Sequence, residues 1–336
     1  MNASTECFSI QSVNTDRFIR KYLVRAVQGV VLVWVNLTIL LTYFVHQNVL
    51  RKSKEFTTIA GLASSDMLTG LGALTSSIGR GNLYCSGRIG ELTSRRGCLM
   101  TPWTVLFMLC PHVNGLMLCI VAVDRLFVVV WPLKYLNWVR NGYLRFLVLI
   151  PYVHGLTILA VLVVDALADT RQLYTLHCGH TAYMGMWNYH NFAETAFGFI
   201  SVLIFALVAG KMRDRKLPRG LSRTRTIERL KRQRRITKTL EISALLTFIL
   251  EVLPRIVIIL SHQYGEEEAL LDIPYCGWIL YFVASHQFEI RNFNPLCNIL
   301  IYSVRHREMR LGIKHLYLCR KLHQSDVQVK VRPQNA

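Results

Sequence analysis

The residues of this chain best placed to do chemistry are charged and amide side chains set inside long apolar runs. Asp66 stands in LASSDMLTGLGAL, Asp124 and Arg125 follow NGLMLCIVAV, and Asn294, Asn298 and Tyr302 are spaced four apart in NPLCNILIYSVRHREMR. Glu251 and Arg255 form an i,i+4 pair in the favourable order, and Glu194, Glu289 and Arg291 stand in further apolar runs. An ionisable group in hydrocarbon is costly unless it is paired or hydrated, so each of these points to ion binding, ligand binding or a charge-based switch. Catalysis finds no footing: HExxH, GxSxG and a paired intramembrane aspartate motif are all missing, and Asp66 and Asp165 stand in unrelated contexts. The expectation is a protein that is not an enzyme.

Positioning such groups requires the elements around them to cross a membrane. The chain is 336 residues long and 52% hydrophobic, with mean hydropathy +0.32, too apolar for an ordinary soluble protein. Windows of about 20 residues pick out seven spans, at 26–46, 57–79, 100–130, 143–168, 191–212, 236–262 and 276–302. The fold expected is therefore all-α, a seven-transmembrane helix bundle over 26–302 preceded by an extracellular tail over 1–25. Internal repeats and paired broken helices, which a transporter would favour, are missing.

A net charge of +19 would suggest nucleic acid in a soluble protein, but its distribution argues otherwise. Thirteen of the 39 basic residues fall between Lys211 and Lys238, and eight more follow Tyr302. The opposite side carries nine, counting Arg80 with an outer loop at 80–97, and its last loop is acidic with Glu266, Glu267, Glu268 and Asp272. This asymmetry puts the N-terminus outside and the C-terminus in the cytoplasm of a multi-pass plasma-membrane protein. The basic face then meets anionic membrane lipid, and nucleic acid is not a partner.

Cys7, Cys85, Cys98, Cys178 and Cys276 fall on the oxidising side, where disulfides persist. The tail carries a glycosylation acceptor at Asn2; the second sequon, at Asn36, lies inside the first span and is inaccessible. Cys319, beside Arg320 and Lys321 and apolar neighbours, suits palmitoylation or stays an unmodified juxtamembrane thiol.

An Asp in a leucine-rich second span and an Asp124-Arg125 followed by PLKY at the inner end of the third are marks of one family. With seven spans in this orientation, the chain resembles the rhodopsin-like G-protein-coupled receptors. The resemblance implies a bundle that binds an extracellular ligand and, through movement of span six, opens an inner crevice to a heterotrimeric G protein. It implies a disulfide between Cys98 and Cys178, although Cys98 stands two residues from the family's position. FILEVLP supplies Phe248 and Pro254 at the family's activation positions, with Val252 in place of the usual Trp. Span four lacks the usual Trp and span five the usual Pro.

In the same comparison Asn298 takes the place of the motif's Asn in NPxxY, Tyr302 its Tyr, and Ile299 replaces the proline. SVRHREMR then resembles the family's short amphipathic eighth helix, over 303–322, with a cytoplasmic tail over 323–336. Asp66, Asn114, Asn294 and Asn298 would converge at mid-membrane, where a sodium ion or a purely structural polar network would account for them. Arg125 would act as a switch without an acidic partner in span six, where KRQRR stands. Phe107 replaces the Asp of amine receptors, which implies a non-aminergic ligand: peptide, lipid or small odorant. Trp103, Phe107, Met108, Trp187 and Tyr281 would line its apolar walls. Arg255 and Arg291 would either face the ligand or pair with Glu251, Glu194 or Glu289. ASSDMLTG and NILIYSVRHREMR resemble strings of melanocortin-type receptors, and VDRLFVVVWPLKY resembles nematode chemosensory receptors. The competing class is a seven-span transporter or channel.

Overall fold

The computed structural model describes residues 3–50, 55–88, 90–131, 134–135, 138, 142–168, 174–176, 178, 187–214, 242, 245–254, 256, 290, 292–297, 301 and 307–320. Helix α1 runs over Ala3–Val45, so the segment expected as a tail over 1–25 is helical from Ala3 and continuous with the first span. After a turn at His46 come the short α2 (Gln47–Leu50) and α3 (Glu55–Cys85). Helix α3 outruns the span at 57–79, which corrects the placing of Arg80 in an outer loop. A strand β1 (Leu92–Thr93) and a short α4 (Arg95–Leu99) lead into α5 (Pro102–Val130), which starts on a proline whose missing N–H costs nothing in a helix's first turn. Then follow α6 (Tyr143–Leu167), β2 (Tyr174–Thr175) and α7 (Trp187–Asp214).

Among the described residues, four stretches are long and apolar enough to cross a membrane, at Arg20–Val45, Pro102–Val130, Tyr143–Leu167 and Thr195–Met212. Helix α3 falls short on hydropathy because it is rich in Ser, Thr and Gly. Several of its hydroxyls are absorbed locally: Ser65 donates to Leu62 O at 2.8 Å, Thr75 to Leu71 O at 2.8 Å and Ser77 to Ala73 O at 2.8 Å. The glycines of α1 and α3 make a close backbone seam. A Cβ on Gly29 would lie 2.8 Å from Leu74 N and 2.9 Å from Gly70 O, and one on Gly70 would lie 3.0 Å from Val33 N.

Inner ends of the helices share a core that includes Phe56, Ala60, Met117, Val121, Phe205 and Met309. Helix α8 (Arg307–Tyr317) contributes Met309, fully buried, and lays Gly312 against Thr42, His46 and Leu50. Of the sixth span, Phe248–Val252 is a π-turn in which Leu253 N–H donates to Phe248 O. Pro254 explains the widening, because it has no N–H and its ring crowds the carbonyl one turn back. Of the seventh span, 292–297 is helical.

Candidate functional site

At the end of the bundle that carries the disulfide, β1 pairs antiparallel with β2, Leu92 opposite Thr175. Cys98, held in α4, bonds to Cys178 across a separation of 80 residues. The implied disulfide is thus present, and α4 absorbs the two-residue displacement of Cys98. Arg95 fastens α4 to α6 through Asp165 at 2.7 Å. Beneath the disulfide, the buried Arg80 donates to Cys178 O at 3.1 Å and lies 5.5 Å from the centroid of Phe107. Trp103 packs on Gly79, where any side chain would collide with its ring. Trp103 and Phe107 therefore share the face of α5 that looks at α3. Met108 does not join them, since it is buried with Leu162, Ala166 and the disulfide between α5 and α6. Trp187 opens α7.

Half-way down, Asp66 is buried, and one turn further along α3 Thr69 accepts from Asn114 Nδ2 at 2.9 Å. Asn294, also buried, accepts at Oδ1 from Thr247 at 3.0 Å, which ties the seventh span to the sixth. A carboxylate, a hydroxyl and carboxamides are hard oxygen ligands that suit a small cation, and a fourth such group comes from α1. The register of α1 on α3, fixed by Gly29 against Leu74 and by Tyr43 Oη 3.1 Å from Thr57 Oγ1, brings Asn36 level with Asp66. Asn36 is fully buried; its Nδ2 donates to Leu32 O at 2.9 Å, while its Oδ1 has no hydrogen-bond partner among the described residues. Asn36 thus brings an orphaned buried oxygen to the level of a buried carboxylate. Asn298 lies outside the described residues.

Phe248 is half-buried and Pro254 buried, flanking Val252, which is 1% exposed. A Cβ on Gly198 of α7 would be 2.8 Å from Val252 Cγ2, so α7 approaches helix six closely there. Sequence reasoning also missed His112, fully buried on α5, which meets His154 of α6 edge-on at 5.7 Å and stacks on Tyr189 of α7 at 6.2 Å.

At the end of α5 away from the disulfide, Asp124 is fully buried. Its Oδ1 accepts from Tyr135 Oη at 2.9 Å and its Oδ2 lies 3.2 Å from Arg125 Nη2. Tyr135 is the tyrosine of PLKY, so the two halves of that motif meet in space. The arrangement holds the Arg125 guanidinium against its own neighbour in the chain, and it can release that charge if the carboxylate lets go. Past α8, Cys319 is exposed, with φ of 51° just beyond the helix end. Asn2, Arg255, Tyr281, Arg291 and Tyr302 lie outside the described residues.

The sequence profile described as 7 transmembrane receptor (rhodopsin family) matches residues 30–297, most of the chain. Among curated proteins nothing matches it.

Proposed function

The chain belongs to the rhodopsin family of seven-transmembrane receptors, an all-α, multi-pass plasma-membrane protein, and on that premise we propose that it couples an extracellular ligand to a heterotrimeric G protein. The N-terminus faces outside, with Asn2 glycosylated, and the C-terminus faces the cytoplasm, with Cys319 palmitoylated. The ligand is non-aminergic, since Phe107 occupies the amine-reading position, and it enters between the disulfide loop and the outer ends of α3 and α5. Asp66, Asn114 and Asn36 hold a sodium ion or its hydration water, with Asn294 and Asn298 linking that level to the seventh span. Tyr302 and Phe248 take part in the switch, Pro254 supplies the bend, and Arg255 or Arg291 meets the ligand or an acidic neighbour. The chain acts as a receptor and not as an enzyme, transporter or channel.

The observation that carries this reading is the buried Asp124, Arg125 and Tyr135 triad at the inner end of α5, a charge held ready at the face a G protein would meet. Its test is ligand-free G-protein activation in cells, parent beside Arg125→Ala. Parent signalling above the empty-vector control, lost in Arg125→Ala at equal surface expression, is the expected result. Parent signalling no higher than the control with every G protein tried would count against coupling.

A further inference from the structure

The turn that joins α5 to α6 has a buried side and a bare one. Trp131 directly follows the span that ends at Val130, and Tyr143 opens the next, so the turn lies where hydrocarbon gives way to headgroups. On its buried side Tyr135 and Leu144 share a core, with Phe127 and Tyr143 packed against them. Two indoles lie on those same rings. Trp131 and Trp138 stand 5.5 and 5.6 Å from Phe127 between centroids, and Trp138 stands 6.0 Å from Tyr143. Both indoles stay open, Trp131 at 45% and Trp138 at 39% exposure. A ring with an apolar body and a polar N–H, left half bare at the end of a span, suits the boundary between acyl chains and headgroups. The charges around it are of one sign. Lys134 and Arg145 are exposed, and each is next in the chain to a member of the buried pair, Tyr135 and Leu144. The sequence has no acidic residue between Asp124 and Asp165 to offset them.

We propose that the α5–α6 turn is a binding site for an anionic phospholipid. Trp131 and Trp138 seat at the acyl–headgroup boundary, while Lys134 and Arg145 engage the anionic oxygens of the headgroup. Selectivity comes from those two charges, because a zwitterionic headgroup brings a cation that they repel. Occupancy also steadies the bond from Tyr135 to Asp124. Two contacts carry that link: Trp131 O accepts from Tyr135 N–H at 2.9 Å, and the rings beneath the indoles pack against Tyr135 itself. This second half rests on the receptor reading above, since a lipid that steadies Tyr135 keeps Arg125 held by Asp124.

The test reads binding without a G protein and without regard to orientation. Full-length receptor is placed in nanodiscs whose two leaflets are alike, with brominated phosphatidylserine or brominated phosphatidylcholine at equal mole fraction in an unbrominated phosphatidylcholine background. Bromine quenches nearby indoles, and the difference between the parent and a Trp131→Phe, Trp138→Phe variant isolates the two rings of the turn. Their quenching should report phosphatidylserine enriched about fivefold or more over phosphatidylcholine, the expectation for one basic residue engaged. The same difference taken in a Lys134→Gln, Arg145→Gln background, which changes only exposed side chains, should show the two lipids quenching alike. Equal quenching in the parent, or a preference that survives Lys134→Gln with Arg145→Gln, would overturn the site. Equal quenching together with coupling lost in the Trp131→Phe, Trp138→Phe variant would assign the patch to the G protein instead. For the link, unbrominated phosphatidylserine should raise the melting temperature of the parent more than that of Tyr135→Phe, and an equal rise in both would overturn it. Ligand-free coupling of the parent is measured in parallel. A phosphatidylserine preference in a receptor that does not couple would sink the coupling reading alone, and coupling without that preference would sink the lipid site alone.

Discussion

Tyr135→Phe removes one hydroxyl and nothing else, which makes it the cleanest perturbation of the inner switch. In the parent that hydroxyl donates to Asp124 Oδ1 at 2.9 Å while Arg125 sits 3.2 Å from Oδ2, and Asp124 is fully buried. Water therefore does not replace the lost donor without opening the site. A hydrogen bond to a charged group contributes about 1.5–3 kcal/mol, and the burial leaves no reason to discount it. If opening of the inner end requires Asp124 to release Arg125, the bond is made in the closed state and lost or weakened in the open one. Deleting it then shifts the equilibrium toward the open state by about tenfold to a hundredfold. A receptor about 1% open would become roughly 10–50% open, well within reach of an assay. The measurement is ligand-free G-protein activation by energy transfer in cells, normalised to surface receptor through an N-terminal epitope. Asp124→Asn should move in the same direction, and Arg125→Ala should silence both backgrounds. Basal activity of Tyr135→Phe within twofold of the parent, at matched expression, would refute the idea that this bond holds the closed state.

Three further outcomes follow from the packing and from one titrating group. Gly29→Val should lower surface expression and melting temperature sharply, because its new atoms meet backbone at 2.8 and 2.9 Å, and backbone in a two-helix seam does not give way. Gly198→Ala should cost about 1 kcal/mol or more by pressing on Val252, and Val252→Ala in the same chain should recover much of the loss, a coupling that a thermal-shift mutant cycle would detect. At the foot of α1, His46 is buried against Gly312 and His315 of α8, and burial first, then the charge of His315, hold its pKa below the ordinary 6.5. A lowered folded-state pKa means that docking of α8 is fully supported above pH 6.5 and weakens as pH falls below it, toward the lowered value. A spin label on Lys314→Cys of α8, in a background with Cys7, Cys85, Cys276 and Cys319 replaced by Ser, should become more mobile between pH 7.5 and about 5.5. The same label in His46→Gln should show a much flatter response.

The helices were legible because hydrocarbon leaves a chain few options: long apolar runs must close their own backbone hydrogen bonds. Their ends were less so. Hydropathy stops at residue 79 because Arg80 is charged, yet α3 continues to Cys85 and buries that very residue. What accommodates Arg80 is a carbonyl 98 positions away and a ring on another helix, contacts that no local window contains. Asn36 shows the same limit from the other side. Its inaccessibility was readable from its place in an apolar run, but its level with Asp66 depends on the register that Gly29 and Gly70 impose. Adjacent helical residues point about 100° apart, so Phe107 meets α3 while Met108 faces the disulfide and α6.

The departures from the family in spans five and six show how far a pattern can be read without a structure. The Trp of FxxxWxP is Val252 here, and span five lacks its Pro; taken singly, each looks like an independent loss. In space the first of them belongs to a contact with span five. Gly198 brings the backbone of α7 so close to Val252 that a single added Cβ would lie 2.8 Å from its Cγ2, and Val252 sits inside the π-turn that Pro254 induces. An indole at 252 would need volume that α7 now occupies, so the smaller residue on helix six and the close, glycine-based approach of α7 are two halves of one packing solution. On the proposed coupling, helix six moves about a tight aliphatic contact with no indole at position 252. Its resistance is set by the fit of Gly198 on Val252, the quantity that the paired substitution at those two positions measures.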